Sequence, residues 1–117
     1  MTPSMLLFTL ISVAMICAGQ LIFKWIGLQL HAGVPFTQPN IFLAGFGSML
    51  LYGLATLLWI FVLRTTPLSA AYPFMALSFV LVPIGSKIFF SERISPSYAI
   101  GLALIVIGVV VTVSFKR

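Results

Sequence analysis

Acidic groups are nearly absent from this chain: of 117 residues only Glu92 carries a carboxylate side chain, only His31 an imidazole and only Cys17 a thiol. A lone cysteine excludes an intrachain disulfide and leaves a metal without thiolate partners. One imidazole, one carboxylate and one thiol make no triad, no acid/base pair and no metal centre, so catalysis is disfavoured and neither cofactor nor metal is expected. Charge of either sign is scarce, at 6% of residues against 62% hydrophobic. A water-soluble core of this size needs a polar face on each helix, and no long segment here has one.

What is present is a set of four charge-free apolar runs, Met5 to Phe23, Ile41 to Leu63, Pro67 to Ser86 and Ile94 to Phe115. Each is close to the roughly 20 residues a helix needs to cross about 30 Å of hydrocarbon. The runs are continuous rather than alternating and are too long for barrel strands. The expected fold is therefore an all-α membrane protein, a single domain of four transmembrane helices at about 4–26, 40–63, 67–90 and 95–115. No Lys or Arg precedes the first run, which is as long as its partners, so it reads as a retained span rather than a cleavable signal.

The net charge of +5 comes from six Lys and Arg placed mainly at the ends of the runs. Anionic lipid head groups, not nucleic acid, are the expected counterpart. Arg64, Lys116 and Arg117 fall on one side of a four-span chain and Lys24, Lys87 and Arg93 on the other, so the positive-inside rule gives no vote. If Lys24 and Lys87 are held at the membrane boundary, both termini favour the cytoplasm; insertion in both orientations stays open. Trp25, Trp59 and Tyr98 sit near helix ends and read as interfacial anchors. Gly27 to Asn40, with Gly33, Pro35 and Pro39, reads as the longest loop.

Small residues mark where backbones can approach in lipid. The second helix has Gly45, Gly47, Ser48, Gly53 and Ala55. The fourth has Gly101 and Gly108, seven apart on nearly one face, and these are expected at a contact with a partner subunit. The third helix contains Pro73 and Pro83 after opening at Pro67. Each interior proline deletes a backbone hydrogen bond, and a freed carbonyl in lipid needs protein or water. Two readings stay open: a cavity lined with Ser69, Tyr72 and Ser78, or a static kink closed by a neighbouring serine.

The most specific constellation comes from depth. The first and third helices run in the same direction, and Lys24 and Lys87 lie about equally far along them, which places two ammonium groups near one membrane face. Gln20 is one turn before Lys24 on the same side, and Ser86, Glu92 and Arg93 cluster around Lys87. Such a group forms a cationic pocket with hydrogen-bonding walls, suited to a phosphate. Against this stands simple snorkelling of both lysines, the better reading for Lys87 taken alone. It does not suffice for Lys24, because the Gln20 amide beside it is costly in lipid without a polar partner. Glu92 is expected to pair locally with Lys87 or Arg93, or to cap the fourth helix. No carboxylate lies within a run, which disfavours proton-coupled cation export.

These residues carry a resemblance. The run GLALIVIGVV in the fourth helix is similar to the dimer-forming glycine motif of small multidrug resistance transporters. AGQLIFK at Ala18 to Lys24, LWIFVLRTTPLSAAYPFMALSFV at Leu58 to Val80, and SKIFFSERISP followed by IGLALIVIGVVV resemble the subunits of the 4-amino-4-deoxy-L-arabinose-phosphoundecaprenol flippase, within the drug/metabolite transporter superfamily with its EamA-type domains. Ile16 stands where the multidrug branch has its membrane-embedded glutamate, and Pro83 departs from the aminoarabinose pattern. The resemblance implies a dimer, an antiparallel homodimer or a heterodimer with a paralogue, in the bacterial inner membrane. It further implies a polyprenyl-phosphate sugar as substrate, in lipopolysaccharide modification. On this reading Lys24, Gln20, Lys87, Ser86, Tyr72, Ser78, Glu92 and Arg93 face the substrate. The alternatives are a proton-coupled small multidrug or cation exporter and a non-transporting membrane subunit of a glycosyltransferase system.

Overall fold

A computed structural model describes residues 2–114. Phe115, Lys116 and Arg117, the end of the expected fourth helix and two of the cations in the charge tally, lie outside the described residues. Prolines punctuate the chain. Pro3 and Pro39 open α1 (Pro3–His31) and α2 (Pro39–Leu63), Pro67 precedes α3 (Leu68–Met75), α4 follows at Ser78–Phe90, and Pro96 opens α5 (Pro96–Ser114). Proline suits the first helical position because the N–H it lacks has no intrahelical partner there. Thr2 caps α1 by accepting from the Met5 N–H at 3.2 Å, and Ser95 caps α5 by accepting from the Tyr98 N–H at 3.1 Å. With α3 and α4 taken together, the described residues hold four helices long and apolar enough to span a membrane. The expected all-α, four-span fold is what the chain adopts.

Two boundaries differ from expectation. α1 does not stop before Gly27 but runs on to His31, and the chain turns only at Gly33, whose φ is +91°. An isolated helical glycine costs about 1 kcal/mol, less than the continuing turns return, whereas a positive φ is a conformation glycine alone adopts freely. The third span, expected as one helix over 67–90, is interrupted after Met75. The break falls past Pro73, where the N–H groups of Ala76, Leu77, Phe79 and Val80 bond three residues back instead of four. That tightening orphans the Met75 carbonyl, and the Ser78 hydroxyl donates to it at 2.8 Å. The serine-closed kink, not a solvent-lined gap, is what Ser78 supports here.

α1 is the hub, packed on α2 along its length and on α4 and α3. Ser12 donates to the Ala55 carbonyl across the α1–α2 seam at 2.9 Å, and Phe8 meets Phe61 edge-on at 5.6 Å between centroids. Ser48 and Ala55 are buried in this contact, whereas Gly45, Gly47 and Gly53 face open space. The glycines that bring helices together are Gly19, under the Tyr52 ring, and Gly85, under Leu21. α5 packs against α3 and α4 and buries no residue.

The result is a layer rather than a bundle, with extents of 51 × 37 × 16 Å. Its radius of gyration is 16.4 Å, against about 13 Å for a compact chain of this length. A helix with its side chains is about 10–12 Å across, so the thin dimension is little more than one helix.

Candidate functional site

The site forms where α1 and α4 reach the same edge of the layer. α1 contributes Gln20 and, one turn on, Lys24; 21 residues of rise from Pro3 put Lys24 about 32 Å along the helix, a distance close to the roughly 30 Å of a hydrocarbon core. α4 ends on Ser91, which adopts the left-handed conformation (φ 56°, ψ 31°) without being glycine. The Ser91 N–H bonds to the Lys87 carbonyl and the Glu92 N–H reaches back to the Ser86 carbonyl at 3.4 Å. This turn carries Glu92 to α1, where Lys24 Nζ lies 3.4 Å from its Oε2. Both side chains stay about half exposed.

That pair corrects the expectation for Glu92. It neither caps α5, a task Ser95 performs, nor is it bonded to Lys87 or Arg93 among the described residues.

Below the pair, towards the membrane interior, the Gln20 amide donates to the Tyr52 hydroxyl of α2. The Tyr52 ring stacks on Phe23, with centroids 5.4 Å apart and planes 24° from parallel. It lies so close over Gly19 that a Cβ there would sit 2.8 Å from the ring. The polar partner that the Gln20 amide needs in lipid is thus supplied within the chain, by Tyr52, a residue outside the expected site. The available signal was a tyrosine midway along an otherwise apolar helix, since a phenolic hydroxyl in an apolar setting normally has a partner.

A pocket of about 310 Å³ opens beside Glu92, lined by Val82, Pro83, Ser86, Glu92, Arg93, Ile94 and Tyr98. Ser86, Glu92 and Arg93, expected together, do converge here. Ser86 is buried and its hydroxyl donates to the Val82 carbonyl at 3.3 Å. Tyr98, read as an interfacial anchor, forms one wall. Lys87 is not among the lining residues: the buried face of α4 is Gly85 and Ser86, and Lys87 lies about 100° further round the helix, exposed. Lys24, expected to share a cationic pocket with Lys87, is paired with Glu92.

The remaining expected site residues lie elsewhere. Tyr72 is exposed on α3 and lines a groove of about 460 Å³ against α5 with Ser69, Pro73 and Gly108. Gly101 lines a second α5 groove with Phe79 and Tyr98. A larger, almost wholly apolar groove of about 670 Å³ runs between α1, α2 and α4, lined by Ala18, Leu21, Ile22, Trp25, Ala44, Gly47, Ser48, Phe89 and Phe90. Trp25 therefore packs along a groove wall. Among the described residues no three His, Cys, Asp or Glu side chains come together to hold a metal.

No family model matches the chain, and no solved structure matches it. Curated relatives do. The chain is 37% identical over 99 residues, 85% of its length and 87% of the relative's, to a probable 4-amino-4-deoxy-L-arabinose-phosphoundecaprenol flippase subunit ArnE of Erwinia tasmaniensis. It is 36% identical over 100 residues, 86% of its length and 85% of the relative's, to the protein of that name in Pectobacterium atrosepticum. It is also 34% identical over 108 residues, 84% of its length and 82% of the relative's, to a probable flippase subunit ArnF of Sodalis glossinidius. Identity at this level across most of both chains, on a four-span helical fold, means that the chain belongs to the family of 4-amino-4-deoxy-L-arabinose-phosphoundecaprenol flippase subunits.

Proposed function

We propose that this protein is a subunit of a flippase that carries an undecaprenyl-phosphate-linked monosaccharide, aminoarabinose or a related sugar, across the bacterial inner membrane for lipopolysaccharide modification. One observation carries the reading: a half-exposed Lys24–Glu92 pair lies beside a small pocket lined by Arg93 and Ser86, in a chain whose relatives are named flippase subunits.

The chemistry follows from the ligand. A sugar phosphodiester carries one negative charge, which the Lys24 ammonium and the Arg93 guanidinium can accept; the latter offers a planar fork of donors. The sugar hydroxyls meet the pocket's polar edge at Ser86 and Tyr98. The polyprenyl chain never needs to leave oil, because the apolar groove beside α1 opens laterally. Lys87, exposed at the same edge, serves the phosphates of surrounding lipids.

Gln20, Lys24 and Glu92 are exposed in the single subunit, and a second subunit covers them. Relatives named as two kinds of subunit favour a heterodimer with a paralogue over a homodimer. α5, with no buried residue and with Gly101 and Gly108 facing open grooves, is the helix best suited to hold the subunits together.

No coupled proton is required. An anionic lipid moving outward across an inside-negative membrane gains about 2.3 kcal/mol per 100 mV, and a zwitterionic one moves no net charge. The test is reconstitution of the purified protein, alone and with its paralogue, in liposomes loaded with undecaprenyl-phosphate aminoarabinose, followed by amine labelling of one leaflet. Labelling faster than in protein-free liposomes is expected; equal rates overturn the reading.

A further inference from the structure

Resting on the flippase reading, we infer that Glu92 is the residue that recognises an amine on the sugar, and that the Lys24–Glu92 pair is the resting form of a site built for a zwitterionic head group.

Glu92 is the one acidic side chain of the sequence, so no other side chain of this subunit can hold an ammonium by charge. It does two things at once: it contacts Lys24 at 3.4 Å and it lines the pocket that Arg93 also lines. The contact is a single N···O approach with 47% of one side chain and 44% of the other exposed. Pairs of that kind are weak and exchange readily. The pocket, at about 310 Å³, is at the small end of the roughly 300–1,000 Å³ range of ligand sites and suits one sugar ring with its phosphate.

Charge accounting at the edge of a low-dielectric region selects the ligand. A head group with a phosphate and no amine takes Lys24 and leaves the Glu92 carboxylate facing the like charge of the phosphate without its ammonium partner, an unfavourable juxtaposition. A head group with both charges gives phosphate to Lys24 and ammonium to Glu92, so one internal pair is exchanged for two with no change in net charge. Arg93, adjacent in sequence and on the pocket wall, draws the phosphate inward and leaves the carboxylate to the amine. The left-handed Ser91 turn is what sets Glu92 between the two partners.

The experiment compares the wild-type protein, Glu92→Gln and Glu92→Asp in liposomes on two lipids: an undecaprenyl-phosphate pentose bearing a free amine, and the same lipid with a hydroxyl in its place. The wild type is expected to flip the amine lipid about tenfold faster, equivalent to about 1.4 kcal/mol. Glu92→Gln should lose that preference while still flipping the hydroxyl lipid, and Glu92→Asp should keep most of it. A preference unchanged in Glu92→Gln, or a Glu92→Gln protein inactive on both lipids, overturns the inference. A wild type that flips both lipids alike overturns it and leaves the flippase reading standing; a wild type that flips neither removes the reading itself.

Discussion

Gly19 has no functional group, yet it should be among the least replaceable residues of the α1–α2 seam. A Cβ added there would lie 2.8 Å from Tyr52 Cδ2 and 2.9 Å from Cε2. Carbon contacts are comfortable at about 3.5–4.0 Å, so the ring must retreat by roughly 0.7 Å. It is not free to do so, because Phe23 stacks on it and its hydroxyl accepts from Gln20. Overpacking of this kind costs about 1–3 kcal/mol, and replacing a helical glycine by alanine returns at most about 1 kcal/mol. Gly19→Ala should therefore destabilise the protein by about 1 kcal/mol net. In a Tyr52→Ala background the clash is gone, and the same change should be neutral or stabilising by up to about 1 kcal/mol. The double-mutant cycle then gives a coupling of about 2 kcal/mol. Reversible unfolding in mixed micelles, followed by helical circular dichroism, measures all four proteins. Equal effects of Gly19→Ala in both backgrounds would refute the argument, since they would mean that the ring does not rest on Gly19.

Other changes separate seam, turn and site. Ser12→Ala removes the interhelical bond to Ala55 and should cost about 0.6 kcal/mol, at most about 1.7, in the same unfolding assay with flipping retained. Ser91→Gly relieves a left-handed residue that carries a Cβ; it should stabilise the isolated subunit by about 1 kcal/mol, read as a raised unfolding midpoint. Tyr52→Phe leaves the Gln20 amide without its acceptor, and at roughly 1 kcal/mol of lost hydrogen bonding it should lower both stability and flipping. Tyr52→Phe proteins matching the wild type in both would show the bond to be dispensable.

The spans were legible because charge is absent from them and proline marks their starts, signals that need no tertiary information. The pocket was legible in part: Ser86, Glu92 and Arg93 are close in sequence and stay close in space. What could not be read was direction. The partner of Glu92 depends on Ser91 taking a left-handed φ, a conformation for which serine gives no sequence cue. The azimuth of Lys87 is not legible, since which face of α4 is inward is decided by Gly85 meeting Leu21. The kink was foreseen at the prolines but falls after Met75, where Ser78 can close it. Tyr52 was hidden because its ring suits an apolar helix and only its hydroxyl is polar.

The central claim is that Lys24 holds the lipid phosphate at the membrane boundary. At an effective dielectric of about 20, a charge pair at 4 Å is worth roughly 4 kcal/mol before desolvation, and even a third of that is tenfold in rate or affinity. The direct measurement is the initial flipping rate of Lys24→Gln beside the wild type in the same liposomes, with helical content and unfolding midpoint matched. A fall of about tenfold or more in a folded protein is the predicted result, and wild-type rates from folded Lys24→Gln would contradict the account.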